Sequence, residues 1–378
     1  MEKKIAVLPG DGIGEEVMAQ ALRVLTAVEK LFGHKFTTTH GLAGGAAFDK
    51  YGVHMPEETL KLCQASDAIL FGSVGGPVAD VLLPKWKNCE ANSILNLRKT
   101  FKFNANFRPV KILPELQDIS PLKAEVIERG VDMVFVRELL GDAYFGEKKT
   151  FIDENGRRKA TDLSVYDEDQ VASVAHVAFK TARLRRNKVT SVDKANVLEN
   201  SKLWRTVVTE VHEQYKDVQL EHMLVDNCAM QLIRDPSQFD VVVTTNMFGD
   251  ILSDAAAVLP GSLGLLASAS LNSEGFGLYE PPGGSAQDIA GTGTANPVAQ
   301  ILSVAMMLRY SFNLEKEAQA VEKAVEAALK GGCRTRDIFK QAKAGAGEAA
   351  GTAPTSKLVN CQEMADEILT HLKQPVLV

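Results

Sequence analysis

Apolar residues along the chain fall into two patterns. Short β-branched or continuous apolar runs at Lys4–Leu8, Ala68–Gly72, Val131–Val136, Lys188–Val192, Leu220–Asp226 and Phe239–Thr245 predict strands. Between them, Val17, Ala21, Val24, Leu25, Val28 and Leu31 recur at helical spacing and predict a helix after the first strand. Further helices are predicted over Gln170–Arg186, Pro297–Phe312, Glu315–Leu329 and Met364–Leu372, and over Ile251–Val258 after the Phe239 run. Strands alternating with helices along the chain predict an α/β architecture. The polar, charged stretch Glu147–Thr161 reads as a protruding hairpin or arm. Phe276–Gly291 is too rich in Gly and Pro to be regular and reads as a long functional loop; Ala342–Pro354 reads as a loose linker. No internal repeat is visible.

The stretch with the most chemistry is Asn246–Asp254, Asn-Met-Phe-Gly-Asp-Ile-Leu-Ser-Asp. On a helix, Asp250 and Asp254 share one face. Two like charges at that spacing need a positive partner, and a hard divalent cation with oxygen ligands supplies one. A solvated acidic face is the plainer reading of an isolated D-x-x-x-D. Arg98, Arg108 and Arg137 each adjoin an apolar segment. Each can snorkel or pair with a structural acid, but together they can converge on a carboxylate-rich ligand through bidentate forks. Lys194, just after the Lys188 strand, is either a surface charge or an active-site amine. Asp226, like Asp250 and Asp254, follows a strand, the side on which open α/β sheets gather ligands. The turn Pro9-Gly-Asp-Gly-Ile-Gly14 is glycine-rich, but its spacing is not a dinucleotide fingerprint and no P-loop lysine follows; tight-turn packing explains it equally well.

Composition narrows these readings. The 378 residues suit two domains or one large one, and 45% apolar with 24% charged residues is a soluble globular profile. A net charge of −6 without a basic block gives no reason to expect nucleic acid. Pro260, Gly261 and Gly264 interrupt the small apolar residues of Ala255–Leu271, which therefore reads as packed loop and helix rather than a membrane span. The five cysteines are scattered without a C-x-x-C, and the first ten residues have too short an apolar run for a signal peptide. A reducing cytoplasm is the expectation.

Starting from Leu8–Gly14, six ordered segments carry a resemblance: Leu97-Arg-Lys99, Val136-Arg-Glu138, Asp193–Leu198, Asn246–Asp254, Gly275–Pro281 and Gly284–Pro297. With them the chain resembles the isocitrate/isopropylmalate dehydrogenase family of β-decarboxylating dehydrogenases over nearly its whole length. The resemblance implies a mixed ten-stranded sheet flanked by helices, not a Rossmann fold, in two domains with a cleft between. Residues 1–103 plus 261–378 would form the first domain and 104–260 the second. It implies NAD-dependent oxidative decarboxylation of 3-isopropylmalate in leucine biosynthesis. Arg98, Arg108 and Arg137 would grip the substrate, with Asp226 beside them and apolar Ile94 and Leu95 facing its isopropyl group. Asp226, Asp250 and Asp254 would hold Mg²⁺ or Mn²⁺. Tyr144 and Lys194 would move protons. Gly76, Pro77, Glu90, Gly284, Ser285, Ala286, Asp288, Ile289 and Asn296 would bind the cofactor, Asp288 favouring NAD over NADP through the ribose hydroxyls. The family's homodimer would supply Lys194 and Asp226 from the partner chain. Leu140, Asp142 and Ala143 replace the usual Thr, Gly and Ile before Tyr144. Gly283, Thr292 and Ala267 also depart from common family residues, and no Lys-Trp directly follows Gly-Gly-Pro77. Sister enzymes acting on tartrate or malate, homoisocitrate or isocitrate are the nearest alternatives, and a non-catalytic regulatory subunit a more distant one.

Overall fold

A computed structural model describes residues 1–340 and 356–373; the linker expected over Ala342–Pro354 lies outside the described residues. In chain order the strands are β1 Glu2–Gly10, β2 Lys35–His40, β3 Ala68–Ser73, β4 Ala105–Lys111, β5 Asp132–Glu138 and the hairpin β6 Lys148–Ile152 with β7 Arg158–Asp162. They continue with β8 Lys188–Asp193, β9 Gln219–Leu224, β10 Val241–Thr244, β11 Ser268–Leu271 and β12 Gly277–Glu280. Ten of them form one sheet in the order β2-β1-β3-β12-β11-β4-β5-β10-β8-β9. β2, β1, β3 and β12 run parallel, as do β5, β10, β8 and β9. β11 and β4 join the two blocks through antiparallel ladders, so the blocks point in opposite directions. This is the mixed ten-stranded α/β sheet expected from the resemblance.

Parallel strands covered on both faces need continuous apolar runs. β3 is buried at every position, and β10 likewise. The helix Gly14–Phe32 buries Val17, Met18, Ala21, Val24, Leu25 and Val28 and stops at Gly33, whose φ of +72° a side chain would strain. It packs on the helices Val298–Tyr310 and Cys361–His371, so the chain's beginning and end cover the same block. The helix Glu168–Arg183 opens with a capping box between Asp167 and Gln170, which satisfies first-turn N–H groups.

Two expectations are corrected. The long loop over Phe276–Gly291 contains β12, buried between β3 and β11 with Leu278 and Tyr279 fully inside. The strand expected over Leu220–Asp226 ends at Leu224, and Asp226 sits in the first turn of the helix Val225–Arg234. The polar stretch after Tyr144 is the exposed β6–β7 hairpin, as expected. Among the described residues no helix is long and apolar enough to cross a membrane.

Phe135 is fully buried in β5, within the central antiparallel pairing. Phe135→Ala should lower unfolding free energy by about 3–5 kcal/mol through lost transfer energy and a residual cavity. A urea-unfolding midpoint equal to that of the parent would contradict this placement of the core.

Candidate active site

β10 pairs with β5 so that Thr244 lies opposite Arg137, and the helix Asn246–Ala257 begins two residues later. Its first turns therefore cover the Arg137 side chain, which is 1% exposed. Gly249 makes this possible: a Cβ there would come within 2.7 Å of Arg137 Cγ. Asn246, fully buried, accepts from Arg137 Nε at 3.0 Å and Nη2 at 2.7 Å, while Nη1 pairs with Asp250. The guanidinium is thus held flat by one helical turn, donating to an amide and a carboxylate four residues apart.

Arg108, on the neighbouring β4, reaches the same helix. Its Nη2 lies 3.6 Å from Asp250 Oδ1, and its Nη1 pairs with Asp254 and donates to Ser253 Oγ at 2.9 Å. Its Nε donates to Asn106 Oδ1 at 3.0 Å. Asp250 and Asp254 do share a face, and in this structure guanidinium charge fills the space between them. Arg98 completes the group. It is 7% exposed, its Nη2 donates to Glu280 at 3.4 Å, and its buried Nε has no partner. Burial, reinforced by the positive charges of Arg98 and Arg108, pushes the Arg137 guanidinium down to about 10. The contribution of Arg98 and Arg108 to that shift places three cations close together.

Tyr144 lies against this cluster, its hydroxyl donating to Asp250 Oδ2 at 2.6 Å and its ring 5.6 Å from the Arg137 guanidinium carbon. Burial, with the nearby Asp250 carboxylate, raises the phenol to about 12, so it keeps its proton at neutral pH. For Asp250 burial pushes upward, but Arg137, the Tyr144 hydroxyl, Arg108 and Arg98 outweigh it and hold the carboxyl below its ordinary value. Asp250 is therefore an ionised carboxylate, with the more exposed Asp254 on the same helix face. Beneath them, burial raises the Glu138 carboxyl to about 7 although it accepts from Leu140 N and Gly141 N.

The remaining expected residues lie in two other places. Lys194 Nζ donates to Asp226 at 2.8 Å, at the ends of β8 and β9. Within one chain that pair is not part of the arginine cluster; among the described residues no group of three or more His, Cys, Asp or Glu could hold a metal ion. Gly284, Ala286, Ile289 and Asn296 line a largely apolar cavity of about 310 Å³ with Ile13 and Leu263. Asn296 donates to Asp337 at 3.0 Å. The cavity's wall is tied to the first turn of the chain: Ser285 O accepts from Ile13 N at 2.9 Å, and Gln287 donates to Gly75 O at 2.9 Å. An apolar slot beside a glycine with φ of +71° at Gly284 fits a flat heteroaromatic ring. Asp288 is exposed at its mouth, and Glu90 lies near Gly75. Gly76 and Pro77 follow in the same loop, where the Trp86 ring lies over Gly76 and Gly45. Trp86 thus reaches Gly76 although no Lys-Trp pair directly follows Pro77. Ile94 opens the helix Ile94–Thr100 that carries Arg98 and is buried in the apolar core, and Leu95, the next residue of that helix, is partly buried against the same core.

The sequence reading missed Asn246, Asn106, Ser253 and Glu280 as partners of the arginines. Asn246 opens the D-x-x-x-D stretch, and its position four residues before Asp250 was the available signal. Ser253 lies in that same stretch and Asn106 two residues before Arg108, while Glu280 comes from a distant segment and had no local signal.

A mixed ten-stranded sheet with this arginine–aspartate constellation is that of a β-decarboxylating dehydrogenase: a family model for isocitrate/isopropylmalate dehydrogenase matches residues 4–368, and the chain belongs to that family of oxidoreductases. Within it, the chain is 53% identical over 369 residues to 3-isopropylmalate dehydrogenase of Geobacter metallireducens, covering 98% of this chain and 99% of the relative. It is 51% identical over 372 residues to the Escherichia coli protein of that name, covering 98% of each. Among solved structures, isocitrate dehydrogenase from Methylococcus capsulatus superposes with a TM-score of 0.84 at 31% identity, covering 98% of this chain and all of that one.

The geometry generates one direct expectation. Gly249→Ala should force the Arg137 side chain from its seat on Asn246, raising KM for a dicarboxylate substrate by about tenfold while the circular-dichroism spectrum is retained. An unchanged KM would show that Arg137 does not need this seat.

Proposed function

We propose that this protein oxidises 3-isopropylmalate with NAD and releases CO₂, giving 4-methyl-2-oxopentanoate, in leucine biosynthesis in the cytoplasm. The carrying observation is the convergence of Arg98, Arg108 and Arg137 on the Asp250–Asp254 face with Tyr144 in contact. Three guanidinium groups suit the two carboxylates of such a substrate, and Arg98 Nε still lacks an acceptor. The relatives carrying the name 3-isopropylmalate dehydrogenase support the same substrate. Apolar Leu95, one turn before Arg98 on the same helix, favours an isopropyl group over the third carboxylate of isocitrate, which would be buried without a partner.

Asp250 and Asp254 would hold Mg²⁺ or Mn²⁺, with Asp226 contributed by a second copy of the chain. When bound, the dication and nicotinamide supply positive charge at the substrate hydroxyl and a hydride acceptor. The chain's own groups do the rest. The arginines fix both carboxylates, and Lys194 of the partner copy takes the hydroxyl proton directly or through water. Tyr144, still protonated, delivers a proton to the carbon that CO₂ has left. Gly76, Pro77, Glu90 and the loop Gly284–Ile289 with Asn296 would bind NAD, the adenine filling the apolar cavity. Asp288 would accept from the ribose hydroxyls and repel a 2′-phosphate.

A homodimer is supported by a stripe of exposed apolar residues, Met247, Ile251 and Val258 on or just after the Asp250 helix, with Met230 and Ile233 on the helix before β10. Uncovered apolar side chains in such number mark an interface. The division into domains of residues 1–103 plus 261–378 and 104–260 is supported by the two opposed strand blocks.

Purified protein with 3-isopropylmalate, NAD and Mg²⁺ should form NADH and CO₂ in equal amounts, and kcat/KM should be lower with NADP. Asp250→Asn should reduce kcat by about 10²-fold or more with the fold retained. Isocitrate or tartrate turned over faster than 3-isopropylmalate would reassign the substrate, and a near-normal Asp250→Asn would remove the site.

A further inference from the structure

The helix carrying Asp250 and Asp254 starts without a cap of its own. Its N-cap, Thr245, makes no side-chain cap bond, no acid lies in its first turn, and Thr245 Oγ1 is buried without a partner. First-turn N–H groups left without acceptors in the interior are costly. Two of them find acceptors from far along the chain: Asn246 N donates to the Tyr166 hydroxyl at 2.8 Å, and Met247 N donates to Asp142 Oδ2 at 3.1 Å.

Asp142 is 4% exposed and has a φ of +71°, a conformation in which glycine is comfortable and other residues are strained. The strain is offset by what the side chain reaches. Oδ1 accepts from Ser164 Oγ at 2.6 Å and from Ala143 N at 2.8 Å; Oδ2 also accepts from the Tyr166 hydroxyl at 3.4 Å. Its backbone completes the knot. Asp142 N donates to Val165 O at 3.1 Å, and Asp142 O accepts from Phe145 N at 3.2 Å and Gly146 N at 3.1 Å, closing the turn that presents Tyr144. One residue therefore joins the Tyr144 turn, the segment leaving the β6–β7 hairpin and the positive end of the Asp250 helix, where a carboxylate is favoured.

We propose that Asp142 is a positioning residue: its carboxylate sets the Tyr144 turn against the first turn of the Asp250 helix and so fixes the Tyr144 hydroxyl on the site. It touches neither substrate nor cofactor. The proposal rests on the reading of Tyr144 as the proton donor. It assigns a task to a residue that stands where the family usually has glycine, and it accounts for Tyr144 keeping its contact despite the altered segment before it.

The test is a double-mutant cycle in the intact protein with 3-isopropylmalate, NAD and Mg²⁺. Asp142→Gly is compatible with the backbone, so the fold is expected to survive, checked by circular dichroism. Its kcat should fall about tenfold with KM within about twofold, because the arginines are untouched. Asp142→Asn, which keeps an acceptor for Met247 N, should recover most of that loss. On a Tyr144→Phe background, whose kcat is already low, Asp142→Gly should cause no further loss, since both changes act through the same hydroxyl. Parent-like kcat in Asp142→Gly, or a loss that adds in full to that of Tyr144→Phe, overturns the positioning role. Parent-like kcat in Tyr144→Phe instead overturns the reading of Tyr144 and with it this one.

Discussion

Like charges held close together shape this molecule. Arg98 and Arg108 lie near enough to Arg137 to oppose its charge, and Arg137 is almost wholly out of water. Such a group needs partners for its donors. The structure supplies Asn246, Asp250, Asp254, Ser253, Asn106 and Glu280, recruited from β4, β12 and one helix, and leaves the buried Arg98 Nε unpaired. Those partners dictate local architecture. The glycine at 249 lets the helix sit on Arg137, and the buried amides of Asn106 and Asn246 lock the guanidinium planes.

The same arrangement explains the choice of chemistry. On the proposed function, three fixed guanidinium groups and two carboxylates would be prepared for an anionic, chelating substrate before it arrives, leaving little reorganisation for the chemical step. Burial raises Tyr144, Arg137 does most to depress Asp250, and their shared hydrogen bond adds to both, so an ionised acceptor holds a phenol that keeps its proton. Paired groups with opposed protonation are how a single cleft can both lose and return a proton near neutral pH.

Periodicity made much of this legible. The helix at Gly14–Phe32 and the strands β1, β3, β5, β8 and β10 follow directly from where the apolar residues fall. The common face of Asp250 and Asp254 followed from helical spacing. Other elements were hidden for physical reasons. β4 contains Arg108 and Pro109, and is tolerated because Pro109 lies beyond the stretch paired with β11. β12 is four residues long inside a Gly/Pro-rich segment, and its burial between β3 and β11 is a tertiary effect with no local signature. The convergence of the three arginines was open from spacing alone, because it depends on strand order. The capping of the Asp250 helix by Asp142 and Tyr166 joins positions about a hundred residues apart, and no pattern in either segment announces it.

The place of β12 in the sheet has a consequence for biosynthesis. β3 pairs with β1 early in the chain, but the unpaired N–H and C=O groups of its other edge wait for residues 277–280. During vectorial synthesis most of the polypeptide must leave the ribosome before that edge is covered. The nascent chain therefore carries an open, adhesive strand border through much of its translation, a segment for which chaperone shielding has most to offer.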